Sequence, residues 1–244
     1  MSLPVAIQLY SLRKEFEENY VDTLKKVAEL GFEGVEFAGF YNIKAEDMKK
    51  TLDDCNLKVA GSHTGYELLL HNLDEVIEYN KIIGNKHIIC PYCDFSDEAA
   101  LDNVIINFNL IGKRLVEEGF VFSYHNHSHE FHKFDGKYIL DTIFEKCDKV
   151  VPELDVYWVY RGQEEPSKYI KKYSDKMNLV HLKDGTMETG TAIGEGEVDI
   201  ASVIDVLDES KIEWLVIEDE TPYPDSFPSV ARSIKNLKSL IENK

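Results

Sequence analysis

The chain is poor in positive charge, in cysteine and in long apolar runs, and each shortage removes a class of function. It carries 27 Lys and Arg against 45 Asp and Glu, a formal net charge of −18. Nucleic-acid binding draws its affinity from Lys and Arg set against phosphates, so this balance argues against such a partner and disfavours an anionic membrane for the same reason. No apolar stretch approaches the roughly 20 residues needed to cross a bilayer. The start, Met1-Ser2-Leu3-Pro4, has no basic segment ahead of an apolar one, so no signal peptide is expected. Four cysteines (Cys55, Cys90, Cys93 and Cys147) are too few for a disulfide scaffold. No Pro-, Gly- or Ser-rich linker interrupts the chain, and the expectation is one cytoplasmic domain over residues 1–244.

What is present is an alternation of short apolar runs with amphipathic stretches, at a hydrophobic content of 43% that excludes disorder. Eight runs read as strands: Pro4 to Tyr10, Gly34 to Ala38, Leu57 to His63, His87 to Cys90, Phe120 to Tyr124, Val151 to Val156, Leu179 to Leu182 and Trp214 to Ile217. Between them, apolar residues repeat at helical spacing, as in Tyr20, Val21, Leu24, Val27, Ala28 and Leu30 before Gly31, and Leu101, Val104, Ile105, Phe108, Ile111 and Leu115 before Gly119. The runs end near Gln8, Glu36, His63, Cys90, His125, Asp155, His181 and Glu218, at gaps of 28, 27, 27, 35, 30, 26 and 37. Eight βα units of this size predict an α/β fold, a (β/α)₈ TIM barrel, whose C-terminal strand ends ring one mouth. A doubly wound open sheet is the competing architecture.

Asp155, His181 and Glu218 close the last three runs. An ionisable group at the end of a buried strand is costly unless it is paired or bound to a cation, and one divalent metal relieves all three. A fourth participant is expected from Phe122-Ser-Tyr-His-Asn-His-Ser-His-Glu-Phe131, where His125, His127 and His129 alternate and share one face if the segment is extended. His129 and His132 read as rim residues. Cys90-Pro-Tyr-Cys93 has dithiol spacing, but the next helical pattern begins only near Ser96, and two reduced cysteines at a strand end are expected. Gly190-Thr-Ala-Ile-Gly-Glu-Gly196 reads as a flexible loop over the mouth, followed by Asp199 as a helix cap.

Taken in order, several strings resemble the xylose-isomerase-like TIM-barrel family, often called sugar phosphate isomerases/epimerases. They are Ile7-Gln-Leu-Tyr-Ser-Leu-Arg13, Gly34-Val-Glu-Phe-Ala38, Gly61-Ser-His63, Tyr124-His-Asn-His-Ser-His-Glu-Phe131, Leu154-Asp-Val-Tyr-Trp158, Val180-His-Leu-Lys-Asp-Gly185, Gly194-Glu-Gly196 and Val216-Ile-Glu-Asp-Glu220. The resemblance implies one divalent cation held by two glutamates, an aspartate and a histidine. Asp155, His181 and Glu218 match three of these positions. Where the family has Glu-Asn-His, this chain has His125-Asn126-His127, so the fourth ligand is either His125 or Glu130. Glu130 is preferred, because an oxygen-rich set suits Mn²⁺, Mg²⁺ or Co²⁺, with Zn²⁺ also in view.

The chemistry implied is proton abstraction beside a carbonyl through an enediolate, with Glu218 in one catalytic role and Glu130 or His125 in the other. Gln8, Glu36, His63, His127 and Lys183 then bind substrate hydroxyls. The function expected is a metal-dependent isomerase or epimerase of a keto sugar or cyclic polyol. A dehydratase on a related ketone and a non-catalytic sugar-binding barrel are the alternatives. The expected partner is a small carbohydrate, and a homo-oligomer is compatible with the sequence.

Overall fold

The computed structural model describes residues 3–221 and 224–242. Met1 and Ser2, the first half of the segment read for a signal, and the final two residues of the expected domain lie outside the described residues. Eight strands, β1 (Val5–Gln8), β2 (Gly34–Ala38), β3 (Lys58–His63), β4 (His87–Cys90), β5 (Val121–His125), β6 (Val150–Asp155), β7 (Leu179–Leu182) and β8 (Trp214–Ile217), pair in sequence order, and β8 closes on β1. Every barrel pair is parallel. The fold is therefore the closed α/β barrel that the spacing of the runs predicts, and the open sheet is excluded.

Helices cover the outside because their apolar stripes match the outer strand faces. Arg13–Glu29 buries Phe16, Leu24 and Val27, and Glu98–Glu117 buries Leu101, Val104, Phe108, Ile111 and Leu115. The two glycines that follow these helices hold positive φ, Gly31 at 87° and Gly119 at 86°, a conformation that stops a helix at no steric cost. Among the described residues no helix is long and apolar enough to cross a membrane.

Strand ends depart from the apolar runs for local reasons. β1 stops at Gln8, two residues short, because the Gln8 side chain accepts the Tyr10 amide at 3.0 Å and turns the chain into a 3₁₀ segment, Leu9–Leu12. β6 stops at Asp155, whose Oδ1 accepts the Trp158 amide at 3.0 Å and caps the helix Val156–Arg161. Asp199 caps Ile200–Asp205 as expected.

The glycine-rich segment differs from expectation. Asp184 accepts amides from Gly194, Gly196 and Val198, while Asn236 and Ser233 bond Ile193. Gly190–Thr191 pairs with Asp184–Gly185 as a short hairpin. The segment is tied down rather than flexible. The reason is a buried carboxylate whose acceptor positions are filled by backbone amides.

Side chains alternate along each strand, so the barrel interior is built in layers. The floor is apolar: Ala6, Ala60, Ile89, Leu179, Trp214 and Val216 form one cluster. Trp214 lies so close over Gly34 that a Cβ there would come within 2.9 Å of its ring, which keeps that position a glycine. Cys90 and Cys93 are buried thiols with sulfurs 3.7 Å apart, and Cys147 is buried as well. Burial pushes the Cys147 thiol up to about 12, and contact with Cys90 together with burial pushes Cys93 far above the thiol range. Iodoacetamide at pH 8 should therefore label half-buried Cys55 first and leave Cys93 and Cys147 unmodified in the folded protein, read by peptide mass mapping. Rapid labelling of Cys93 would contradict its placement.

Candidate metal centre at the barrel mouth

Two polar layers stand above the apolar floor. In the lower, Gln8, Glu36, Glu153 and His181 are fully buried, and in the upper lie His63, His125, Asp155, Lys183 and Glu218. The parallel register sets them side by side: Gln8 opposite Glu36, His125 opposite Glu153, Asp155 opposite His181. A cavity of about 420 Å³ opens above them. It is lined by His63, His125, His127, Glu218 and Glu220 together with Tyr10, Leu68, Pro91 and Tyr92.

His125, Asp155, His181 and Glu218 each offer a ligand atom, and these atoms lie within 4.8 Å of one another. His181 Nδ1 is 3.2 Å from Glu218 Oε2 and 4.0 Å from Asp155 Oδ2. Neither His181 Nδ1 nor Asp155 Oδ2 has a hydrogen-bond partner, although both are buried. An orphaned carboxylate oxygen buried in this way is costly, and a cation beside it removes that cost. The residues present fit a divalent metal. A donor set of two carboxylates and two imidazoles is compatible with Zn²⁺, Mn²⁺ or Co²⁺.

Glu130 does not join this group. Its Oε1 accepts the Tyr124 hydroxyl at 2.5 Å and its Oε2 accepts the His127 amide at 2.8 Å. The strand ends at His125, and the chain then turns into a short 3₁₀ segment, His129–Phe131, that carries Glu130 away from the cluster. The alternation expected for His125, His127 and His129 is broken by that turn. His127 packs its ring on Trp158, 5.0 Å away, and His129 bonds the Cys93 carbonyl at 3.0 Å.

Three residues expected to reach substrate are committed below the cavity. Gln8 and Glu36 bond each other at 2.7 Å. Lys183, fully buried, contacts Glu218 Oε1 at 3.0 Å and Glu220 Oε1 at 2.9 Å, with its charge 4.6 Å from the Trp158 ring centre. His63 and His127 do line the cavity. Glu153 was not singled out from the sequence, yet it stands at the centre of the lower layer, with Oε2 2.9 Å from His63, 3.3 Å from His125 and 3.4 Å from His181. The signal was available: Glu153 precedes Asp155 by two residues, and period-two alternation puts both on the same face.

Charge in the cluster is strongly coupled. Burial raises Glu36, but the His181 and His63 charges outweigh it and hold this carboxyl well below its ordinary range. Burial lowers His63, yet Glu36 and Glu153 push it up to about 10. Burial lifts Asp155 to about 7 against the opposing pull of Lys183. Burial, then repulsion from His181 and His63, keeps His125 well below the usual imidazole value, which favours its neutral form. Burial opposes ionisation of Glu218, but Lys183 and His181 win and hold it well below the carboxylate range.

The closed parallel barrel, with an acid and imidazole cluster at its C-terminal mouth, defines a TIM-barrel protein. Residues 24–240 match the xylose isomerase-like TIM barrel model, and the chain belongs to that family. It is 24% identical to an inosose dehydratase of Clostridium botulinum, over 90% of this chain and 86% of that enzyme. A sugar phosphate isomerase/epimerase from Parabacteroides distasonis superposes with a TM-score of 0.85 at 25% identity, covering 98% of this chain and 94% of that one. The fold is shared also with a D-allulose 3-epimerase of Methylomonas solved in complex with D-allulose, at a TM-score of 0.75 and 12% identity, covering 97% and 96% of the two chains.

The geometry separates the two candidates for the fourth ligand. Glu130→Ala should lower stability by about 1–3 kcal/mol, because the Tyr124 hydroxyl and the His127 amide lose their buried acceptor, and should leave metal content unchanged. His125→Ala should lower metal content. Loss of metal from the Glu130 variant alone, measured by elemental analysis after dialysis, would return Glu130 to the ligand set.

Proposed function

We propose that the chain is a metal-dependent isomerase or epimerase of an unphosphorylated keto sugar or cyclic polyol, acting by proton abstraction next to the carbonyl. The observation that carries this reading is the convergence of His125, Asp155, His181 and Glu218 beside an open cavity, with Asp155 Oδ2 buried and unpartnered. These four residues would hold one divalent ion. When bound, such an ion supplies Lewis-acid polarisation of a carbonyl and its neighbouring hydroxyl.

The remaining work falls to the chain's own side chains. Glu218 lines the cavity and removes the proton, its ionised form maintained by Lys183 at 3.0 Å. Glu218, protonated by that step, returns the proton to the neighbouring carbon, and His125, neutral and also on the cavity wall, stays a ligand. Tyr10, Leu68, Pro91 and Tyr92 give the wall apolar faces on which the carbon-bound hydrogens of a sugar or cyclitol ring can pack. The lining carries two carboxylates, Glu218 and Glu220, against one protonated imidazole, His63, and no Lys or Arg appears among the described lining residues. A phosphate group would meet repulsion there, which supports an unphosphorylated substrate.

A dehydratase is the second reading, favoured by the inosose dehydratases of Clostridium botulinum and Clostridium beijerinckii among the relatives, each at 24% identity. It shares the first step. The two part only afterwards, when a β-hydroxyl leaves instead of a proton returning.

In deuterated water, a panel of ketoses and ketocyclitols should yield one compound that gains deuterium at the carbon next to its carbonyl, only in metal-loaded protein. Glu218→Gln should slow this exchange by about 10²–10⁴-fold while some metal remains, since it keeps one ligand oxygen and loses basicity. Full activity in that variant would move the proton carrier to His125. Binding of sugars with neither exchange nor dehydration would establish a non-catalytic sugar-binding barrel instead.

A further inference from the structure

We infer that Glu36, oriented by Gln8, is the positioning residue of the metal centre: it holds the Nε2 side of His181 and thereby leaves Nδ1 for the cation. This inference rests on the metal reading above, and assigns to Gln8 and Glu36 a role other than contact with substrate.

The two nitrogens of His181 face different surroundings. Nε2 donates to Glu36 Oε1 at 2.6 Å, within hydrogen-bond geometry. Gln8 Nε2 donates to the same oxygen at 2.7 Å, and Gln8 Oε1 accepts the Tyr10 amide at 3.0 Å, so the backbone fixes which end of the amide meets Glu36. On the opposite side, Nδ1 makes no hydrogen bond and stands 3.2 Å from Glu218 Oε2 and 4.0 Å from Asp155 Oδ2. Ligands about 2.1 Å from one cation are about 3.0 Å apart at a right angle and farther at wider angles. A separation of 2.6 Å is too short for Glu36 and His181 to share an ion, whereas 3.2 and 4.0 Å suit ligands of one ion.

The same argument bears on a second cation. His63, His125, Glu153 and His181 also gather within 4.8 Å. Yet Glu153 Oε2 lies 2.9, 3.3 and 3.4 Å from a nitrogen of each of the three histidines. The shortest of these, to His63, is a hydrogen bond and too short for that pair to share an ion. Glu36 is thus a hydrogen-bonded support for His181, and the upper group is the assigned ion site. Gly61 completes the seat, because a Cβ there would come within 2.6 Å of Glu36 Oε2 and also of Ile89 Cδ1. A ligand histidine whose other N–H is held by a carboxylate is fixed in tautomer and orientation and made more basic.

The experiment is titration of the metal-free full chain with Zn²⁺ or Co²⁺ against a competing chelator. The unaltered protein should bind one equivalent. Glu36→Gln should weaken binding by about 10–100-fold with an unchanged circular dichroism spectrum, and Gln8→Met, which removes only the donor to Glu36, should weaken it by a smaller factor. In ¹⁵N-histidine spectra of the Zn²⁺-loaded protein, one ring should be bound through Nδ1 with its proton on Nε2, and that pattern should change in Glu36→Gln. Binding of one equivalent with affinity equal in all three proteins would overturn the inference and leave the metal reading standing. Two equivalents, one of them lost in Glu36→Gln, would replace it with a second ion site. A wild-type chain that binds neither metal would remove the metal reading, and this inference with it.

Discussion

Four carboxylates, Glu36, Glu153, Asp155 and Glu218, lie in the interior of a closed barrel with at most 6% of their surface exposed, and the arrangement of everything around them follows from the need to compensate that charge. In the lower layer the compensation is internal. Gln8, His63 and His181 surround Glu36, and His63 bonds Glu153. In the upper layer Lys183 serves Glu218 from beneath, while Asp155 Oδ2 has no protein partner. Glu36 Oε2 and Glu153 Oε1 below also lack a hydrogen-bond partner, so the difference between the layers is that His63, His125 and Glu218 of the upper one border the cavity.

The barrel supplies the rigidity this arrangement requires. Asp155 gives one oxygen to the helix that follows it and keeps the other free, so its orientation is set by the backbone before any ligand arrives. Asn126 accepts the Asp155 amide at 3.0 Å and ties the end of β5 to the end of β6. Asp184 gathers the amides of the following loop and holds that segment in place. Site residues on strand ends, each held by a second interaction, keep their geometry better than residues carried on free loops.

Legibility in the sequence was greatest where a residue's environment depends only on its own strand. The run ends at Asp155, His181 and Glu218 carry a signal because three ionisable groups close three successive apolar stretches, where one alone reads as a solvated strand end, and the barrel brings the three together. Glu153 escaped notice because it sits inside its run, where two-residue alternation had to be applied as well as the run's end. Gln8, Glu36 and Lys183 were legible as buried polar residues but not in depth. Whether such a residue reaches the cavity depends on strand stagger, which no local pattern encodes.

The eight βα units and the three run-end ligand candidates are legible in the sequence, because hydrophobic periodicity and unit length are properties of the local chain, whereas closure of the sheet over the competing open form is seen only in the strand order. The different surroundings of His125 and Glu130 arise only in the folded chain. The strand ends at His125 and the next turn delivers Glu130 to Tyr124, a choice made by the packing of β5 against the segment that follows it. The structure also separated the supporting layer from the ion-facing one. The interior distances that distinguish a hydrogen bond of 2.6 Å from a ligand spacing of 3.2 Å exist only once strands far apart in sequence have closed on one another.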